Sequence, residues 1–169
     1  HTVLNARVLN ADETPHRMLE GSDKKSWYLW GFSTPEACYL ECHDTRSGDV
    51  ASDILQNSKC EVLVTDVFSG YGKAMRVSND LRRLAQKPLI KCAHCNAHAR
   101  RYFFKAWSKY KEAAFYLDLY HEIYQLNAKA KGQSPPIVLE LRHQMRPLFE
   151  AMKVKALEEL PQYPRNGGY

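Results

Sequence analysis

Cys60-Glu61-Val62-Leu63-Val64-Thr65-Asp66-Val67-Phe68-Ser69-Gly70-Tyr71 is the stretch that decides how this chain folds. Residues 60–65 are a near-continuous apolar run, the pattern of a buried parallel strand rather than of an alternating surface strand. The run closes on Asp66. A carboxylate in that position sits at the rim of a buried sheet, where it must be paired, hydrogen-bonded or metal-bound. Upstream, Val3 to Asp12 reads as a weakly alternating strand. It too ends on an aspartate, in Asn10-Ala11-Asp12-Glu13-Thr14-Pro15. Trp27 to Ser33 and Ala37 to His43 read as two more strands, with a turn at Gly21-Ser22-Asp23-Lys24-Lys25 and a break at Thr34-Pro35. Short strands with tight links predict an antiparallel meander.

Downstream, Ser47 is a helix cap ahead of the apolar positions Val50, Ile54 and Leu55. A second helix is expected from Tyr71 to Ala85 and a short fifth strand from Leu89 to Ala93. From Ala97 to Lys131 the period is helical, with Phe103, Trp107, Tyr110, Ala114, Leu117 and Tyr124 on one stripe. Gly132 is a natural stop. Ser134-Pro135 opens another helix, faced by Val138, Leu141, Met145, Leu148 and Met152, which Pro147 is expected to kink or split. Leu160 to Tyr169 reads as loop. The order β-β-β-α-β-α-β, then helices, predicts an α/β protein. Its mixed sheet, a three-strand meander plus parallel strands with helices on both faces, occupies residues 1–96, and a helical segment follows over 97–169.

A chain of 169 residues with 44% hydrophobic and 25% charged residues suits one domain plus a helical appendage. No apolar run approaches the ~20 residues of a membrane span. The start, His1-Thr2-Val3-Leu4-Asn5-Ala6-Arg7, has no basic-then-apolar leader and no initiator Met, so the chain reads as an internal portion of a longer protein. Five cysteines, an odd number without an export signal, argue for reduced thiols and a cytoplasmic location. The net charge of +5 is unevenly spread: residues 1–70 hold 6 Lys/Arg and 11 Asp/Glu, residues 71–111 hold 11 Lys/Arg and Asp80 alone, and residues 112–169 hold 7 of each. A basic middle block fits a surface that meets a polyanion, or a solvated helix face.

Each candidate group has two readings. Asp12 and Asp66 are paired ligands for hard divalent cations, as in phosphodiester chemistry, or they cap the Thr14-Pro15 turn and a helix start. Cys92, His94, Cys95 and His98 supply one cluster of soft ligands but no second, separated pair, which argues against zinc at Cys92/Cys95/His98 and for packing cysteines. Arg100, Arg101, Lys105 and Lys109 hold DNA phosphates or form a solvated face. Tyr71 and Tyr102 are candidates for stacking or phosphate contact. There is no Gly-rich phosphate loop, no Ser-His-Asp order and no G-x-S-x-G motif.

Four stretches resemble one known family, the bacterial transposases of the Insertion Sequence 66 type, which are acidic-triad, ribonuclease-H-like enzymes. They are Ala11-Asp12-Glu13-Thr14-Pro15; Trp27-Tyr28-Leu29-Trp30 with the later Arg46-Ser47-Gly48; Thr65-Asp66-Val67-Phe68-Ser69-Gly70-Tyr71, with Val67 where the family has Gly; and Cys95-Asn96-Ala97-His98-Ala99-Arg100-Arg101-Tyr102-Phe103, with Asn96 where it has Trp. The resemblance implies a ribonuclease-H-like core over 1–96 and a helical insertion over 97–169. It implies that Asp12 and Asp66 are the first two catalytic acids and hold Mg2+ or Mn2+. By the same resemblance His98, Arg100 and Arg101 position the phosphate backbone or brace the site. The partners implied are double-stranded DNA, at transposon ends and target, and further copies of the chain assembled on it, near the bacterial nucleoid. The family's third acid, a Glu followed by Arg beyond the insertion, has no counterpart here, since no Glu-Arg dipeptide occurs. Cleavage and strand transfer are therefore expected of the parent protein, and little or none from this stretch alone. Two alternatives stand beside this one: a non-catalytic nucleic-acid-binding remnant, and a ribonuclease-H-like nuclease whose third acid is Glu13 or Asp44.

Overall fold

The computed structural model describes residues 2–19 and 26–162; the expected turn at 21–25 and the end of the expected tail loop, 163–169, lie outside them. The chain divides into two compact units, residues 1–95 and 96–169.

In the first unit the opening residues are not strand. Thr2–Asn5 makes a helical turn, α1, with Val3 buried, and β1 runs Val8–Arg17. β2 is Ser26–Ser33, β3 Cys38–His43, β4 Val62–Thr65 and β5 Lys91–His94. The sheet order is β3-β2-β1-β4-β5. β1, β2 and β3 form the expected antiparallel meander, while β1–β4 and β4–β5 are parallel. Asp12 therefore lies inside a strand rather than at its end. What stops near it is pairing with β4, whose last partner on β1 is Asn10. Beyond that point β1 is an edge on that side, where Pro15 can be accommodated inside a strand.

Between the strands lie α2 (Gly48–Gln56) and α3 (Ser69–Leu84). Both bury their apolar residues in one core with Leu9, Ala11, Trp30, Phe32 and Leu63, so they share one face of the sheet. Helices on both faces were expected. The topology explains the difference: the β3-to-β4 and β4-to-β5 crossovers travel the same way across the sheet, and a common right hand puts both helices on the same side. On the opposite face of the sheet, Val8, Leu29 and Leu40 are exposed.

Ser47 caps α2, its hydroxyl accepting from the Asp49 N–H. Gly48 lets the two helices meet: a Cβ there would stand 2.1 Å from the Gly70 carbonyl oxygen. Arg82 of α3 is buried with no carboxylate paired to it among the described residues. It donates to the carbonyls of Leu55, Ser58, Cys60 and Pro88 at 2.8–3.2 Å, binding the end of α2 to the loops leading into β4 and β5. One member of the basic block thus works inside the fold.

The second unit is helical: α4 (Asn96–Trp107), α5 (Ala113–Ala130) and α6 (Pro135–Glu159), followed by a 3-10 turn over Leu160–Gln162. The single helix expected over 97–131 is two helices. The break at residues 108–112 resets the helical phase, so α5 buries Ala113, Tyr116, Tyr120 and Ile123 rather than Ala114, Leu117 and Tyr124. Trp107 is accordingly 43% exposed. Gly132, at φ 72°, ends the α5 connection as expected. Pro147 lies inside α6, which is one continuous element and not two. Tyr116 donates to the buried Glu159 carboxylate at 2.7 Å, joining α5 to the end of α6.

Candidate acid site and nucleic-acid interface

β1 and β4 are neighbouring parallel strands in the register Val8↔Val62, Leu9↔Leu63, Asn10↔Val64. Continued two residues further, that register sets Asp12 level with Asp66. Both then fall on one face of the sheet, since strand side chains alternate with period two. Asp12 is exposed and Asp66 half-buried.

Local backbone holds each carboxylate. The Phe68 N–H donates to Asp66 Oδ1 at 2.8 Å, and the Glu13 N–H to Asp12 Oδ1 at 3.1 Å. The Thr65 hydroxyl donates to the Asp66 carbonyl at 2.7 Å. Asp66 thus does make the local turn that leads into α3. For Asp12 the capping alternative fails, because Thr14 and Pro15 are strand residues and there is no turn to cap.

Below the rim, residues that alternate to the core face form a packed stack. Glu13 pairs with Trp30 across the β1–β2 ladder, and its side chain is only 1% exposed. Arg46, at the end of the loop before α2, donates Nε and Nη2 to Glu13 Oε1 at 2.8 and 2.5 Å. The Arg46 guanidinium also lies 4.0 Å from the Phe68 ring centre. Phe68 packs edge-on against Tyr71 at 6.0 Å, and Tyr71 against Trp30 at 5.8 Å. The Glu13 hydrogen bond, and beyond it the Asp66 charge, keep Arg46 firmly cationic. Burial, then the neighbouring Glu13, pushes the Tyr71 phenol far above its ordinary range, so it stays protonated.

These positions revise two expectations. Tyr71 is 1% exposed, so it belongs to the core beneath the acids and cannot reach DNA; the Gly70-Tyr71 step into α3 turned it inward. Glu13 is engaged by Arg46 on the core face, so it is not the third acid of the nuclease alternative. Asp44 is exposed, just beyond β3. The Arg46–Glu13 ion pair is what the sequence did not reveal, although both residues stood among its candidates and motifs. The available signal was alternation: if Asp12 faces the open side, its neighbour Glu13 must face the core and needs a cation.

Asp12 and Asp66 offer hard oxygen donors, which suit Mg2+ or Mn2+ and not zinc. Among the described residues, no group of three or more His, Cys, Asp or Glu side chains is placed to hold a metal ion. The donor set fits one shared ion whose remaining ligands are waters and phosphate oxygens, the usual habit of Mg2+. Cys92 is exposed and Cys95 half-buried, and all five cysteines are free thiols.

In the second unit, α4 carries the other predicted site residues. His98, Arg101 and Lys105 follow i, i+3, i+7 spacing and share one face, while Ala99, Phe103 and Ala106 form the stripe turned to the helical core. Arg101 and Lys105 are exposed, and His98 is half-buried. Arg100 falls on the other flank of that stripe and is half-buried. No described helix is long and apolar enough to cross a membrane.

A family model described as Transposase IS66 family matches residues 1–167. A search of curated proteins found no match.

Proposed function

This chain belongs to the IS66 transposase family, and on that premise we propose that it carries the first two acids of a ribonuclease-H-like core that cleaves DNA at transposon ends and joins it to target DNA. The observation that supports this reading is the parallel β1–β4 pairing, whose register, extended two residues past Asn10↔Val64, leads to Asp12 and Asp66. The sheet order β3-β2-β1-β4-β5, with its meander and two parallel additions, supports the ribonuclease-H-like assignment. Residues 97–169 are then the helical insertion of that core.

Asp12 and Asp66 hold Mg2+ or Mn2+ in this reading. The bound ion supplies Lewis acidity at the phosphodiester and a nucleophile at neutral pH. The chain's own part is orientation. One oxygen of each carboxylate is fixed by a backbone N–H, so the other is aimed without an entropic search. Arg101 and Lys105, with His98 on the same face of α4 and Arg100 on its flank, contact the backbone of double-stranded DNA. Such contacts set register and affinity, not sequence. Active complexes assemble as homo-oligomers on DNA.

A Mn2+ titration followed by water-proton relaxation tests the pair. Asp12→Asn and Asp66→Asn should each weaken Mn2+ binding at least tenfold. Equal binding by wild type and both variants would refute the shared site.

A further inference from the structure

Arg46 is a cation beside the Asp66 turn that the function above leaves unused, and its surroundings are built. Its partner Glu13 has a side chain 1% exposed, whereas the Arg46 side chain is 44% exposed. A guanidinium so placed has one edge locked inward on a side chain that keeps access to water. The inward edge is Nε and Nη2, both on Glu13 Oε1. Nη1 has no hydrogen-bond partner among the described residues, which leaves two N–H donors. The plane is further fixed by the Phe68 ring at 4.0 Å, and Phe68 is the residue whose N–H holds Asp66. Arg46, in the β3–α2 loop, is therefore packed against the residue that makes the Asp66 turn.

Charge sharpens the case. Residues 1–70 are net acidic, and two carboxylates at one rim repel a phosphodiester. The buried Glu13 fixes Arg46 but does not remove its reach toward solvent, because a cation paired on one edge still donates from the other. A buried carboxylate bonded to an arginine purely for stability is a costly arrangement compared with an apolar pair. A rim cation aimed by a buried carboxylate gives that cost a use.

We propose that Arg46 is a DNA-phosphate contact of the acid site, its Nη1 edge binding a backbone phosphate next to the one the acids engage. The proposal rests on the transposase reading and adds a residue to it. Arg46 takes no part in bond making. It positions the strand and offsets the acidic rim.

The test is DNA binding by the full chain, measured by fluorescence anisotropy on a labelled 30-base-pair duplex of random sequence from 0.05 to 0.3 M salt. Replacing Arg46 alone strands the buried Glu13 charge, so the comparison is Glu13→Gln against the double variant Glu13→Gln/Arg46→Gln, with thermal unfolding followed in parallel. Each phosphate contact contributes about 0.9 to the slope of log affinity against log salt. The double variant should lose about 0.9 of slope relative to Glu13→Gln, and bind about fivefold more weakly at 0.15 M salt. A role confined to the fold would lower the unfolding temperature and leave the slope alone. Equal slopes and affinities in the two variants overturn the Arg46 contact while the transposase reading stands. No DNA binding by the wild-type chain overturns both.

Discussion

Three adjacent residues, Arg46, Ser47 and Gly48, show how much of this site depends on single side chains. Arg46 ties the Glu13 carboxylate to the Phe68 ring. Ser47 starts α2. Gly48 has no Cβ because the Gly70 carbonyl occupies its place. Gly48→Ala must push the first turn of α3 away, and with it the Asp66 turn. Overpacking of this kind costs about 3 kcal/mol, so the urea midpoint should fall clearly; an unchanged midpoint would mean the helices separate freely. Gln86 is a second such position, a non-glycine residue at φ 53° just past α3. Gln86→Gly relieves left-handed strain and should raise stability by up to about 1 kcal/mol in the same urea experiment. The sequence displayed Asp12 and Asp66 plainly, because a carboxylate beside an aliphatic run is conspicuous. It concealed the pairing of Glu13 with Arg46, which joins residues 33 positions apart and exists only once β1 and the β3–α2 loop are folded.

At the scale of elements, reading failed where the backbone interrupts a period. β4 was legible, a short aliphatic run ended by Asp66. The split between α4 and α5 was not. Tyr110, Lys111 and Glu112 are compatible with helix, and no Pro or Gly marks the turn there. One missed break moved every predicted core position of α5 by one residue. The consequence is testable in the helical unit. Tyr116, not Leu117, stacks on Phe103 at 4.1 Å and donates to Glu159. Tyr116→Phe keeps the ring and removes the donor to a buried carboxylate, which should cost about 2 kcal/mol by urea unfolding. Leu117→Ala, at a half-buried position, should cost less. The reverse order would restore the uninterrupted helix. The split expected at Pro147 does not occur: α6 runs through it, and Met145, Leu148 and Met152 on its packed face supply tertiary contacts across the missing hydrogen bond.

The whole molecule belongs to the IS66 transposase family, and under the function proposed above its described residues would supply two acids of a triad. Two carboxylates hold a single ion far better than a pair of ions. The 169-residue chain alone should therefore give strand transfer at background levels on a transposon-end duplex with Mn2+, and ordinary levels would mean that a third acid lies within it. The central claim is narrower: Asp12 and Asp66 share one ion. The direct measurement is anomalous diffraction from crystals of this chain soaked in Mn2+. The account predicts one anomalous peak bonded at about 2.1 Å to an oxygen of each aspartate. Anomalous density bound to only one of them, or carboxylates on opposite faces of the sheet, would contradict it.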